Sequence, residues 1–381
     1  MKRLLLVGAG HAHAQVLKDW IARPVPGCDV TIVSPHAMTP YSGMVPGWLA
    51  GTYRFDEIGI DFAALAKAAG ARFLADEMIG LDPKRRQVRL HSGSALPYDV
   101  LSLNVGSTLT PPVPPPGERA RILSLRPLDK LRRAWDALLA DPRITTSFEP
   151  LVVTAVGGGA AGVESILATL RRLRSMRPGR PVQGALITSS ATLLPGLAPA
   201  AVRAAHAALT AAGVVVQTGC DYDDSLASST DIVLWATGAE AHAWQRGCGL
   251  AVSERGFIRI DERLRSCSHP QVHAVGDCAE WARPLPKAGV FAVRMGPVLS
   301  RNLRAALGAG TPVPYAPQRR YLALLATADG RALASWGRWS LQGRWLWRWK
   351  DRIDRAFVER FVISGPSVAT HPPTPVSGKT E

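Results

Sequence analysis

The sequence predicts an α/β fold with two parallel, doubly wound units and a small C-terminal region, and three observations predict it. A hydrophobic strand runs into a glycine turn and then a helix twice, at "RLLLVGAGHAHAQVL" (residues 3–17) and at "LVVTAVGGGAAGVES" (residues 151–165). Each unit also contains a buried strand ending in a small-residue turn with glycine, "YDVLSLNVGS" from Tyr98 and "DIVLWATGAE" from Asp231. The third observation is bulk: 381 residues, 47% hydrophobic and 20% charged, suffice for two domains with real cores.

In chain order, residues 3–7 read as a buried parallel strand, Gly8-Ala9-Gly10 as a tight turn and residues 12–20 as a helix. A helix start offers unpaired N–H groups and a partial positive charge, so a diphosphate there would be held by backbone. A strand over residues 29–33 follows at the βαβ spacing. It ends in Ser34, where dinucleotide sites usually carry an acid for the ribose hydroxyls, and His13 stands in the third glycine's place. In the second unit, residues 152–156 form the strand, Gly157, Gly159 and Gly162 complete GxGxxG, and Val163-Glu164 open a helix through Arg172. The next strand, residues 184–188, ends at Ser189 and Ser190, with neither an acid for ribose hydroxyls nor an arginine for a 2′-phosphate. Further on, "PQVHAVGDCAEW" predicts a strand through Val275 that delivers Gly276 and Asp277 to a helix N-terminus, a setting that suits a sugar-alcohol hydroxyl.

Other classes are excluded. No run of about 18 apolar residues exists to span a bilayer, so any membrane contact is expected to be peripheral. The opening imitates a secretory leader, but Gly8 and Gly10 fall where a strand turns into a helix, which a cleaved peptide has no reason to encode. Cys28, Cys220, Cys248, Cys267 and Cys278 show no CxxC or CxxxxC spacing; neither a disulfide framework nor a metal site is expected, and buried thiols in a reducing cytosol are. The net charge of +15 favours acidic partners. Much of it is arginine in "DPKRRQVR" and "LRRLRSMRPGR", which read as solvated faces, and with no nucleic-acid module present no nucleic-acid partner is expected.

Toward the C-terminus, Trp345, Trp349, Ile353, Phe357 and Phe361 recur every fourth residue, and residues 338–361 hold seven basic and three acidic side chains with four tryptophans. Two readings stay open: an interfacial helix on an anionic bilayer, or an aromatic stripe packed on the fold or across a homodimer. Residues 365–381, rich in Pro, Ser and Thr, read as a flexible tail.

With GAGHAH at 8–13, LNVGS at 103–107, GGGAAGVE at 157–164, WATG at 235–238 and VGDCA at 275–279, residues 1–310 resemble the FAD- and NAD(P)-dependent pyridine nucleotide-disulfide oxidoreductase superfamily. The resemblance implies two Rossmann-like dinucleotide-binding domains, the NAD(P) domain (residues 113–240) inserted in the FAD domain (1–112 and 241–310), then a basic, aromatic region (311–364). "TPYSGMVPGWLAGTYRFDEIGID" from Thr39 and "SWGRWSLQGRWLWRWKDRIDRAFVERF" from Ser335 are similar to the type II NADH dehydrogenase-like flavoprotein module found fused ahead of selenide, water dikinase; no kinase domain precedes Glu381, which implies a stand-alone version.

Carried over residue by residue, the resemblance implies that Gly8, Gly10 and His11 lie at the FAD pyrophosphate and Ser34 at its adenosine ribose. Tyr41, Ser42, Gly43 and Met44 would lie by the isoalloxazine, Gly276 and Asp277 at the ribityl chain, and Met78, Gly106 and Ser107 elsewhere along FAD. Lys287, Ala288 and Gly289 would sit beneath the flavin pyrimidine ring, Lys287 stabilising the charge of the reduced flavin. Gly157, Gly159, Gly162, Ser189 and Gly238 would hold NADH or NADPH, the choice between them left open. Glu164 would be a positioning residue at the nicotinamide–flavin junction, or only a first-turn acid complementing the helix dipole.

The implied activity is that of an FAD-dependent NAD(P)H dehydrogenase, hydride passing to flavin and electrons to a small-molecule acceptor, quinone-like or otherwise. A selenium-related reductase and a flavin-binding interaction module without turnover are the alternatives. Type II dehydrogenases carry an alanine-glutamine pair where this chain has Ala288-Gly289. The implied location is cytoplasmic, or peripheral on the inner face of the membrane.

Overall fold

Five parallel strands make the first sheet of the computed structural model, which describes residues 1–113, 120–223, 229–318 and 320–363. Their order across the sheet is Val272–Ala274, Val100–Leu103, Lys2–Val7, Cys28–Ser34 and Arg72–Ala75. These strands are covered on both faces, which is why they read as continuous apolar runs rather than as an alternation. The chain then leaves this sheet and builds a second one, again all parallel: Arg121–Ser124, Ile232–Trp235, Leu151–Val156, Val182–Thr188 and Val214–Thr218. Only afterwards does it return, with Val272–Ala274, to the edge of the first. The tail expected at 365–381 lies outside the described residues.

The helix of the first turn, His11–Ala22, packs with the long helix Gly289–Ala306 on one face of the first sheet, burying Ala12, Val16, Leu17 and Trp20 against Phe291, Met295, Leu299 and Leu303. The helix of the second turn, Ala160–Met176, begins three residues before the expected start and runs four past the expected end. Alanine and leucine favour helix on both sides of the predicted span, which carries it over those extra turns.

Past the second sheet, the helix expected from the aromatic stripe at 345–361 is present as Arg344–Glu359, and a hairpin precedes it. Residues 332–343 form a hairpin, Ala332–Trp336 against Trp339–Gly343, joined by a turn in which Gly337 takes φ +57°. With Ala323–Ala326 it makes a three-stranded antiparallel sheet, and the helix Arg344–Glu359 lies beside it. That helix contributes to two separate cores. Phe357 and Phe361 join the core of the first sheet, whereas Val358 joins that of the second, together with Leu325 and Leu333. Burial of each phenylalanine contributes roughly 1.5–3 kcal/mol, so the helix binds the units to one another.

Candidate functional site

The first glycine turn is braced from behind. Gly8 takes φ +96°, and a Cβ there would fall 2.5 Å from the Asn104 carbonyl oxygen, so only glycine lets the turn lie against that strand end. Asn104 then organises the helix start: its Oδ1 accepts the N–H groups of Ala12 (3.1 Å) and His13 (3.4 Å), and its Nδ2 donates to the Val275 carbonyl (3.1 Å). His13 donates from Nδ1 to the Gly8 carbonyl (2.7 Å), which can only accept, and therefore accepts at Nε2 from the Ser102 hydroxyl (2.8 Å). Burial pushes its pKa down to about 4, so a neutral imidazole serves as a strut in the third glycine's place.

His11 behaves differently. Its ring meets Tyr41 (centroids 5.3 Å apart) and Phe357 (5.8 Å), and burial pushes its pKa down to about 4 against the pull of the Asp277 carboxylate. Its Nε2 is enclosed without a hydrogen-bond partner among the described residues. Such an atom costs roughly 1–3 kcal/mol, so the residues around this turn fit a further polar group, as a dinucleotide would supply. Ser34 lies buried at the carboxyl end of its strand. Gly106, at φ +71°, has open space where a Cβ would stand. Met78 is buried in the core of the first sheet, and Met44 in that of the second.

Asp277 is held by a cation, not by a helix. The strand Val272–Ala274 hands over to a single 3-10 turn, Gly276–Cys278, and then to Ala279–Glu280 rather than to the expected helix. Pairing of Ala279–Glu280 with Ile258–Arg259, and prolines at 284 and 286, keep the chain extended until the helix starting at Gly289. Arg126, from the second unit, donates to both the Asp277 carboxylate and the Ser107 hydroxyl. Sequence reasoning missed Arg126 and Asn104: one is among many arginines, the other lies inside a strand-end motif recognised for its glycine.

Lys287 is held within its own loop. Its ammonium donates to the Ala279 carbonyl (2.6 Å) and stands 3.6 Å from the Phe257 ring centroid, and burial lowers its pKa. A half-buried ammonium takes the nearest carbonyl and π-face because leaving it unpaired costs more, which turns it into its own loop. Ala288 and Gly289 start the long helix; a Cβ on Gly289 would lie 3.0 Å from Ser42 Oγ, so this loop and the 41–44 turn are neighbours.

At the second turn, Gly157 takes φ +122°, and a Cβ on Gly162 would fall 1.9 Å from the Gly157 carbonyl oxygen. The positions above Gly159 and Gly238 are open, and no side chain caps the helix that follows. Its first N–H groups therefore face an open mouth suited to a phosphate. Ser189 is exposed just past the strand Val182–Thr188.

Between the turns stands a buried polar cluster. Glu164 accepts the Ala326 N–H at 2.8 Å; the atoms packed around its carboxyl raise its pKa to about 7, with the Lys350 ammonium opposing. Lys350 donates to Asp354 (2.5 Å) and to the Gly43 carbonyl (2.7 Å), and burial lifts Asp354 above the usual carboxylate range even beside that ammonium. The Tyr41 ring lies 4.5 Å from that of Phe357, and the Tyr53 hydroxyl donates to Asp351. Glu164 thus bonds the strand Ala323–Ala326 and feels the charges of Lys350 and Asp354. The available signal for Lys350 and Asp354 was an i,i+4 ion pair set inside an apolar arc.

The five cysteines are free thiols. Cys278, enclosed and donating to the Leu103 and Val275 carbonyls, is pushed up to about 11, so it is a thiol at neutral pH. Among the described residues no group of His, Cys, Asp and Glu is placed to hold a metal ion.

A family model described as pyridine nucleotide-disulphide oxidoreductase matches residues 2–296. The chain is 27% identical over 370 residues to the nitric oxide reductase FlRd-NAD(+) reductase of Aeromonas hydrophila, covering 90% of this chain and 88% of that one. Among solved structures it is similar to the sulfide:quinone oxidoreductase of Aquifex aeolicus, with a TM-score of 0.74 at 16% identity over 95% of this chain and 91% of the other. It is equally similar to NDH2 of Plasmodium falciparum in complex with NADH, with a TM-score of 0.74 at 14% identity over 94% and 97%. At these identities the two structures speak for the fold alone.

Proposed function

We propose a function from the premise that the chain belongs to the pyridine nucleotide-disulphide oxidoreductase family. It is accordingly an FAD-dependent oxidoreductase that uses NADH or NADPH. In our reading, residues 1–112 and 241–310 hold FAD, with Gly8, Gly10, His11, Gly106, Ser107 and Asp277 among its contacts. Residues 113–240 hold the nicotinamide nucleotide at Gly157, Gly159, Gly162, Ser189 and Gly238.

One observation carries this reading: contacts run from His11 at the first glycine turn to Tyr41 and Phe357, and the same helix carries Lys350 and Asp354, whose charges act on Glu164 of the second turn's helix. When bound, flavin supplies the acceptance of hydride from a stacked nicotinamide and the onward delivery of its electrons. The chain's own part is orientation and exclusion of water. Asn104 and His13 hold the first turn in register, Tyr41 and Phe357 wall off solvent, and Lys350 pins the 41–44 turn. Glu164, poised to gain or lose a proton at about pH 7, sits beside the junction.

The acceptor in this reading is a small, quinone-like molecule. The buried Cys278 thiol is unsuited to disulfide exchange, which favours electrons leaving the flavin directly. The Aeromonas relative's name gives FlRd as its partner, and a protein acceptor is the competing arm of the test.

An anaerobic titration with NADH and then NADPH, following flavin absorbance, tests the reading. Bleaching is expected, followed by reoxidation with a water-soluble quinone and not with an oxidised selenium compound or a rubredoxin. Glu164→Gln should keep bound flavin while removing the pH dependence of turnover centred near 7. A yellow protein that neither nucleotide bleaches would sink the dehydrogenase reading in favour of a flavin-binding module without turnover.

A further inference from the structure

The hairpin Ala332–Trp336 and Trp339–Gly343 and the first turns of the helix Arg344–Glu359 line an open groove of about 440 Å³. Its walls are Trp336, Trp339, Leu341, Trp345, Leu346 and Trp349. Four of these are tryptophans in the open: Trp339 is 79% exposed and Trp345 54%, with Trp336 and Trp349 close behind. Ile353 continues the stripe down the helix and is exposed as well. Contiguous apolar surface of this kind is rare on a free surface and marks something that covers it.

The charge around the patch says what that is. Arg338, Arg344, Arg348, Arg352 and Arg360 are all exposed, and among the exposed side chains of residues 336–363 Glu359 is the sole acid. On the helix the arginines at 344, 348 and 352 form a stripe immediately beside that of Trp345, Trp349 and Ile353, so an apolar strip and a cationic strip run side by side. Indoles with a wet N–H edge and guanidiniums that reach phosphates are the pairing found at the headgroup level of a bilayer. The helix is too short and too charged to cross one, and no helix among the described residues is a candidate span.

We infer that this face docks in the plane of an anionic phospholipid surface, the four tryptophans inserting among headgroups and the arginines pairing with their phosphates. The docking stands independently of which acceptor is reduced. It also has a geometric consequence: the docked sheet contains Ala323–Ala326, whose last residue donates its N–H to Glu164, so the lipid surface lies one small sheet away from the junction of the two units.

Co-sedimentation of the full chain, carrying its flavin, with vesicles of phosphatidylglycerol and phosphatidylcholine tests this. Pelleting is expected with the mixed vesicles, to fall with salt, and to be weak with phosphatidylcholine alone. Arg348→Ala and Arg352→Ala should each weaken binding about fivefold. Trp345→Ala with Trp349→Ala should weaken it at least about tenfold, with the flavin spectrum unchanged and at most a small fall in melting temperature, because both side chains are about half exposed. Three results would overturn the inference. One is the absence of pelleting. Another is pelleting indifferent to the tryptophan pair, which would mean plain attraction by a chain of net charge +15. The third is a concentration-dependent dimer that the tryptophan pair abolishes, which would make the patch a contact between copies.

Discussion

At Gly162 the second glycine turn is at its tightest, with the Gly157 carbonyl 1.9 Å from where a Cβ would stand. The obstacle is backbone, so it cannot step aside as a side-chain tip would, and overpacking of this kind costs about 1–3 kcal/mol. Gly162→Ala should therefore move the start of the helix Ala160–Met176 away from the turn. The expected outcome is a KM for NADH and NADPH raised at least tenfold with FAD retained, measured by flavin absorbance and steady-state kinetics; loss of FAD instead would mean that this turn serves the other cofactor. The glycines were legible because their spacing is local, although only Gly162 is pressed by its own turn; Gly8 and Gly157 are pressed by Asn104 and Ala236. Asn104 and Arg126 were not, because each acts on a segment far along the chain: Asn104 on the helix start at Ala12, and Arg126 on Asp277.

The C-terminal helix shows the same division one scale up. A residue repeated every fourth position advances about 40° per step on a helix of 3.6 residues per turn, so a stripe of five residues swings through about 160°. Trp345, Trp349 and Ile353 consequently end on the solvent side, while Phe357 and Phe361 turn into the core of the first sheet. Of the readings open in the sequence, packing on the fold holds for Phe357 and Phe361, while the exposed half carries the docking inferred above. Lys350 and Asp354 fall on the inner side and are nearly sealed, at 9% and 8% side-chain exposure. Removing one member leaves the other buried without its partner, at about 3–5 kcal/mol. Lys350→Met should lower the melting temperature by several degrees, and adding Asp354→Leu should recover most of the loss. Thermal melts of the single and double variants check this, and a double variant no more stable than the single would refute it.

Across the whole molecule, burial of histidine sets the response to acid. His11, His13 and His273 are each pushed down to about 4 by burial, so the folded chain keeps them neutral where the unfolded chain protonates them. Their contribution is fully present above about pH 6.5 and is lost as pH falls toward 4, at roughly 3 kcal/mol for a fully buried ring. Glu164, raised to about 7, has the opposite sign: its contribution is present below about pH 4.5 and lost as pH rises through 7. Three groups outweigh one. The melting temperature should fall from pH 7.5, most steeply around pH 5, with the fall easing as pH reaches 4, and a flat profile over that range would show that these rings are not sealed in solution.

What the sequence by itself determined was the pair of strand–glycine–helix units, their order along the chain and the residues in each turn, because the pattern of apolar strand, glycine spacing and helix former is written in contiguous residues. The tertiary structure alone decided where the chemistry-bearing side chains of the remainder point. Lys287 turns to the Ala279 carbonyl, Asp277 is held by Arg126, and Glu164 faces a C-terminal helix whose two halves have different environments. Each of these follows from desolvation and from partners brought together out of distant segments, and a charged group settles on the partner that the fold brings to it.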